Sequence, residues 1–225
     1  MNQTKYVYFF NTQKNTDGSS SMSHILGGKG ANLAEMANLN IPVPPGFTIS
    51  TEVCVYYMKH GKYPPGCKTE IQNHLGKLEK CMSQKFGSKK NPLLVSVRSG
   101  ARQSMPGMME TVLNVGLTNK TLKGLIENTN NPRFVYDSYR RLIMMYADVV
   151  MDKSTNNNYD IRHILEKHLS DLKTKNSIEN DMNLKENHLI SICEKFQKII
   201  LHKCQTKFPD NSMVQLESSI EAVFK

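Results

Sequence analysis

No stretch of this sequence approaches the ~18 consecutive apolar residues that a membrane-spanning helix requires, so a transmembrane role is not expected. The one apolar run near the start, Tyr6–Phe10, is too short for the core of a secretory signal, and no small-residue cleavage site follows it. The last residues, Val223-Phe224-Lys225, match no targeting signal. Together these absences make the cytoplasm the expected location. Cysteine is sparse: Cys54, Cys67, Cys81, Cys193 and Cys204 are odd in number and never spaced C-x-x-C. That argues against a disulfide framework and a structural zinc site, and for free thiols in a reducing compartment. His163 and His168 lie on different faces of any helix that holds them both, so they do not form a metal pair. Internal repeats are missing, which removes solenoid and propeller architectures.

What is present points to a globular chain. It has 225 residues, of which 39% are hydrophobic and 22% charged, enough to build one large domain or two small ones. The formal net charge is +9. Nucleic acid, an anionic surface or a polyphosphate ligand could each account for such a surplus. The lysines are scattered, however, with Lys89-Lys90 and Arg140-Arg141 the adjacent basic pairs, and no nucleic-acid motif accompanies them. A solvated basic surface is the plainer explanation, and neither a nucleic-acid nor a membrane partner is expected.

The first half mixes strand and helix signals. Tyr6–Phe10 and Phe47–Ile49 read as strands, as does Thr111–Leu117 with its rough alternation. Leu93–Val97, mostly apolar, fits a fully covered strand. A helical pattern opens at Gly27, and Ile41–Gly46, rich in proline, cannot be helix interior. Ser50 or Thr51 is suited to cap the next helix, with Glu52 in its first turn. A further helix is expected around Lys68–Phe86. After Gly116 the strand patterns stop. Val135, Tyr139, Leu142, Tyr146 and Val149 step by helical intervals, followed by a polar, Asn-rich loop at Asp152–Asp160. Helical faces recur at Ile161–Leu172, Leu189–Ile200 and Met213–Val223. Asp137 and Arg141, four apart on one helix, are placed to pair. The expected fold is α/β (α+β), with a mixed lobe over residues 1–117 and a helical subdomain over 118–225.

Three segments carry chemistry. Gly27-Gly28-Lys29-Gly30 is neither a Walker A loop nor G-x-G-x-x-G, yet glycines at a helix start let backbone approach an anion and Lys29 adds a point charge. A turn with a solvated lysine explains the same residues. Arg98 stands where the Leu93 strand ends, a place where α/β sheets bind ligands, and its guanidinium suits phosphate. Pairing with a carboxylate at the strand end is the alternative. Ser104-Met105-Pro106-Gly107-Met108-Met109 could fill core or form a mobile flap over a planar base. Ser23-His24, though adjacent, does not make a nucleophile–base pair, which is recognised by geometry.

Four segments together carry a resemblance. They are Gly27–Met36 (G-G-K-G-A-N-L-A-E-M), Ile41–Thr51 (I-P-V-P-P-G-F-T-I-S-T), Asn91–Thr111 (N-P-L-L-V-S-V-R-S-G-A-R-Q-S-M-P-G-M-M-E-T) and Arg133–Val150 (R-F-V-Y-D-S-Y-R-R-L-I-M-M-Y-A-D-V-V). In this order the sequence resembles the N-terminal region of the pyruvate, phosphate dikinase family. Phosphoenolpyruvate synthase shares the G-G-K-G and V-R-S elements but is less similar across the methionine segment. The resemblance implies the first lobe of an ATP-grasp nucleotide-binding domain followed by a helical insertion. It implies that Lys29 and Arg98 contact ATP phosphates and that Gly107 and Met108 lie in a flap over the nucleotide. It further implies a phosphotransferase that interconverts ATP, phosphate and pyruvate with AMP, diphosphate and phosphoenolpyruvate through a phosphohistidine. The second ATP-grasp lobe with its Mg2+ carboxylates, the carrier histidine and the pyruvate-binding barrel have no counterpart in these residues. The expectation is therefore a fragment, monomeric and inactive alone, that works with the remaining domains of the dikinase. A non-catalytic nucleotide-binding or regulatory module is the other class kept open.

Overall fold

The computed structural model describes residues 4–12, 16–100, 111–152 and 160–224. The fold is helix-rich and mixed, the α/β class expected, with three two-stranded sheets among the described residues. The chain forms two compact units. One comprises the described residues of Met1–Gln84, Ser99–Met109 and Phe224–Lys225, the other those of Lys85–Arg98 and Glu110–Val223.

In the first unit β1 (Val7–Phe10) pairs antiparallel with β2 (Gly46–Ile49), Val7 opposite Ile49 and Phe10 opposite Gly46. Both strands were legible from their apolar runs. Helix α1 (Ser23–Asn38) buries Leu26, Ala31, Ala34 and Ala37. Its small residues allow a close approach: a Cβ on Gly30 would press on the Thr48 side chain of β2. Helix α2 (Thr51–His60) starts after Ser50, whose backbone is extended but whose hydroxyl makes no capping bond. Instead the Thr51 hydroxyl donates to the His24 carbonyl at 2.7 Å, tying the start of α2 to that of α1. Helix α3 (Cys67–Met82) turns Ile71, Leu75 and Leu78 inward. Its Glu70 carboxylate accepts from the Tyr6 and Val7 amides at 3.0 and 3.1 Å, closing the free edge of β1 where the strand begins. Glu70→Ala orphans both amides and is expected to cost about 1–3 kcal/mol in urea unfolding, with the slope of the transition unchanged.

The second unit holds the other four strands. Short β3 (Lys85–Phe86) runs parallel to β4 (Pro92–Leu93), and β5 (Val95–Arg98) pairs antiparallel with β6 (Thr111–Val115). The expected single buried strand at Leu93–Val97 is thus two strands, and only its start is covered. Leu93 is buried, whereas Val95 and Val97 are half-buried and Ser96 and Arg98 exposed. The reason is local: β5 has one hydrogen-bonded neighbour, and the register shifts between Val95 and Val97. Gly116 (φ +113) ends β6, and a Cβ there would meet the Phe86 ring at 2.9 Å and the Leu93 carbonyl at 3.0 Å.

The helices follow, with no strand among the described residues after Val115. Helix α4 (Asn119–Thr129), which the periodicity did not reveal, begins with a Thr118–Thr121 capping box. Helix α5 (Pro132–Tyr146) starts with proline in its first turn and an Asn131 cap, and runs on into a π-helical turn at Ala147–Met151. The predicted stripe of Val135, Tyr139, Leu142, Tyr146 and Val149 is buried along its whole length. Helices α6 (Ile161–Lys175), α7 (Glu186–Cys204) and α8 (Ser212–Phe224) complete the chain where the remaining patterns placed them. Most of the Asn-rich loop lies outside the described residues. Among those described, no helix is long and apolar enough to cross a membrane.

Candidate functional site

The glycine-lysine motif sits at a fault in α1. Gly27 has φ 68° and ψ 169°, inside what is otherwise one helix, and so separates the turn Ser23–Leu26 from the longer stretch that follows. That region of backbone space is essentially reserved for glycine. Gly28, Lys29 and Gly30 therefore open the longer stretch, where a helix presents the positive end of its dipole. Gly30 is buried, while Lys29 is exposed.

A second sequence motif reaches the same place. A Cβ on Gly27 would overlap the Gly100 carbonyl, and one on Gly100 would lie 3.6 Å from the Leu26 carbonyl. Gly100 thus lies directly against the break in α1, backbone on backbone, within the first unit. The Ile41–Thr51 segment supplies the other side. Thr48 packs on Gly30 and Thr51 bonds to His24. Three segments far apart in sequence meet around Gly27–Gly30. The role of Gly100 is not legible in the sequence. A glycine directly after V-R-S was its only available sign, and a glycine alone does not disclose what it touches.

Arg98 closes β5 opposite Thr111, in the second unit, with its side chain exposed. Among the described residues it makes no ion pair, and neither does Lys29. The carboxylate partner considered for Arg98 is thus not found among them. Gly107 and Met108, with the rest of 101–110, lie outside the described residues.

Other chemistry can be weighed against these groups. Among the described residues no cluster of three or more His, Cys, Asp or Glu is placed to hold a metal ion. They do not fit a magnesium cage. Cys67, Cys81, Cys193 and Cys204 are free thiols. Burial pushes the Cys67 thiol up to about 11 and the Cys193 thiol up to about 12, which leaves both protonated and poor nucleophiles at neutral pH. The expected Asp137–Arg141 pair forms at 3.0 Å but belongs to a larger structural network around buried Arg140. What the chain offers near Gly27 is a helix start with an exposed lysine, a geometry suited to an anion.

Comparison with known proteins agrees. The profile of the family described as "Pyruvate phosphate dikinase, AMP/ATP-binding domain" matches residues 23–64, the stretch that contains Gly27–Gly30 and β2. A pyruvate, phosphate dikinase of Giardia intestinalis is 44% identical over 225 residues, covering 99% of this chain and 24% of that protein. One of Clostridium symbiosum is 42% identical, over 98% of this chain and 24% of its own length. A chloroplastic one of Flaveria trinervia is 42% identical, over 98% of this chain and 22% of its own length. The chain spans about a quarter of the length of the relatives it matches.

Proposed function

We infer, for a chain that belongs to the pyruvate, phosphate dikinase family, that its part in the family's chemistry is to bind the phosphates of ATP. The observation that carries this reading is the match of the AMP/ATP-binding family to residues 23–64, which opens with a glycine-broken helix that exposes Lys29. Lys29 supplies a mobile point charge and the helix start a fixed one. Arg98 supplies a planar fork of donors for a phosphate oxygen. Gly107 and Met108 form the flap over the nucleotide in this reading. Residues 1–117 act as the first lobe of an ATP-grasp domain, and 118–225 as the helical subdomain inserted after it.

The wider reaction follows as part of the same proposal. ATP, phosphate and pyruvate are interconverted with AMP, diphosphate and phosphoenolpyruvate, with a phosphohistidine as carrier. Phosphoryl transfer rests on positioning and charge stabilisation, and these residues contribute the positioning of ATP. Magnesium accompanies ATP in such chemistry, and its carboxylate ligands belong to domains beyond these 225 residues. The chain works with those domains in the cytoplasm and does not complete the reaction by itself. The coverage of only a quarter of each relative also suits a nucleotide-binding module without catalysis. Supplying the remaining domains of a relative in trans separates the two: restored dikinase activity favours the enzyme, and failure to associate favours the module.

ATP titration of this chain by NMR at low salt tests the binding step. Saturable binding is expected, and Lys29→Ala and Arg98→Ala should each weaken it tenfold or more, as for loss of a hydrogen bond from a charged group worth about 1.5–3 kcal/mol. Unchanged affinity in both variants would remove the two residues from the site.

A further inference from the structure

We propose that Gly27 is a positioning residue for the nucleotide site: its bare Cα lets the Gly100 carbonyl seat against the turn that precedes Lys29, and this contact fixes the direction in which the helix start presents Lys29. The inference rests on the ATP-binding reading above. It concerns a residue that touches no phosphate and acts through its neighbour.

Two independent demands fall on position 27. The first is conformational. With φ 68° and ψ 169°, the residue kinks the path between two helical stretches, and an L side chain is strained there whatever space surrounds it. The second is steric. The site of a Cβ is already filled by backbone, the carbonyl carbon and oxygen of Gly100. A flexible side chain could swing aside, but a main-chain carbonyl cannot move without turning the whole peptide unit that holds it. The helical stretch after Gly27 is meanwhile seated on β2 through Gly30 and Thr48 and buries Ala31 and Ala34, so it cannot slide away either. Any side chain at 27 must therefore tilt the first turn of that stretch, and Lys29 lies in that turn. A displacement of about 1 Å is enough to spoil an oriented contact.

The experiment uses the full chain, with ATP as the probe. Gly27→Ala is compared with Gly124→Ala, a steric control in the second unit. A Cβ at 124 would overlap the Lys89 carbonyl, a clash with backbone of the same kind, in helix α4 and outside the proposed site. Both variants lose thermal stability. The proposal expects the ATP Kd to rise tenfold or more in Gly27→Ala and to stay within twofold in Gly124→Ala. Equal weakening in the two, or none in Gly27→Ala, overturns it while leaving ATP binding intact. Absence of ATP binding by the unaltered chain overturns the underlying reading instead, and this proposal with it. Should Gly27→Ala not fold, the unaltered chain decides. The proton–proton cross-relaxation between Gly27 and Gly100 must be present both free and saturated with ATP, and its loss on saturation would show that the contact does not hold the bound state.

Discussion

Replacing Gln215 by leucine is expected to destabilise this chain by roughly 3 kcal/mol or more, among the largest effects of any single side chain in its second unit. Gln215 lies on α8 with 0% of its surface exposed. Its Oε1 accepts from the Gly116 amide at 2.9 Å. Its Nε2 donates to the Leu117 and Pro209 carbonyls, each at 2.9 Å. One amide side chain thus satisfies three main-chain groups where the chain leaves β6 at a residue with positive φ. Leucine has about the same volume, so no cavity opens. The loss is that of partners, and each buried group left unsatisfied costs about 1–3 kcal/mol. The Ser212 hydroxyl, which donates to the Gly116 carbonyl at 3.1 Å, cannot take over for the glutamine because the orphaned amide needs an acceptor directed at it. Urea unfolding with an unchanged slope is the measurement, and a loss below ~1 kcal/mol would mean that water replaces the glutamine.

Arg140→Met is expected to cost about 3–5 kcal/mol, the range found when one member of a buried ion cluster is removed. Arg140 is 3% exposed. Its guanidinium donates to Asp137 at 2.6 and 2.9 Å and to Asp181 at 3.1 Å, and Nη1 reaches the Met144 sulfur at 3.6 Å. Lys173 also holds Asp181, at 2.9 Å, and Arg133 donates to the Asp181, Met182 and Leu184 carbonyls. The cluster therefore fastens the turn at Asp181–Asn183 to α5. Methionine keeps most of the stem and removes the charge, leaving Asp137 with Arg141 alone. The pH dependence carries its own signature. Burial works against the charge on Asp181, but Lys173 and Arg140 outweigh it and hold its carboxyl below the ordinary aspartate value. A lowered folded pKa contributes stability that is fully present above the unfolded value, about 4, and is lost as the pH falls through the folded value. The acid limb of the stability curve should be shallower in Arg140→Met, because part of what acid removes is already gone. Parallel limbs would assign Arg140 a packing role only.

Much of this fold was legible because short-range patterns decide it. The stripe of Val135, Tyr139, Leu142 and Tyr146 reports a helix face directly, and all four are buried. Phe47–Ile49 and Tyr6–Phe10 reveal strands by composition. Asp137 and Arg141 pair because four residues make one turn. What escaped depends on distant partners. Leu93–Val97 is as apolar as a covered strand, but coverage is set by the number of neighbouring strands, and that is not written in the segment itself. Helix α4 was hidden because it holds just three apolar residues, Leu122, Leu125 and Ile126, around an interior Gly124, whereas its cap and its packing on the Lys89–Lys90 turn stabilise it. Lys29 and Arg98, the residues proposed to bind phosphate, were marked by residue type. Gly100 was not, since its part is to be thin where another backbone passes.

Gly27 and Gly100 also bear on how the chain reaches its fold. The first unit is assembled from three separate pieces of chain, and the second from two. A polypeptide ending at residue 84 would hold α1, α2 and α3 but would lack the strip that lies on Gly27. Secondary structure there can form early, yet the seat beside Lys29 is completed only after a loop of more than seventy residues has closed. Loop closure of that length adds an entropic barrier and raises the contact order, which slows folding. During synthesis on the ribosome, the region around Lys29 is therefore among the last parts of its unit to mature, although it lies near the beginning of the sequence.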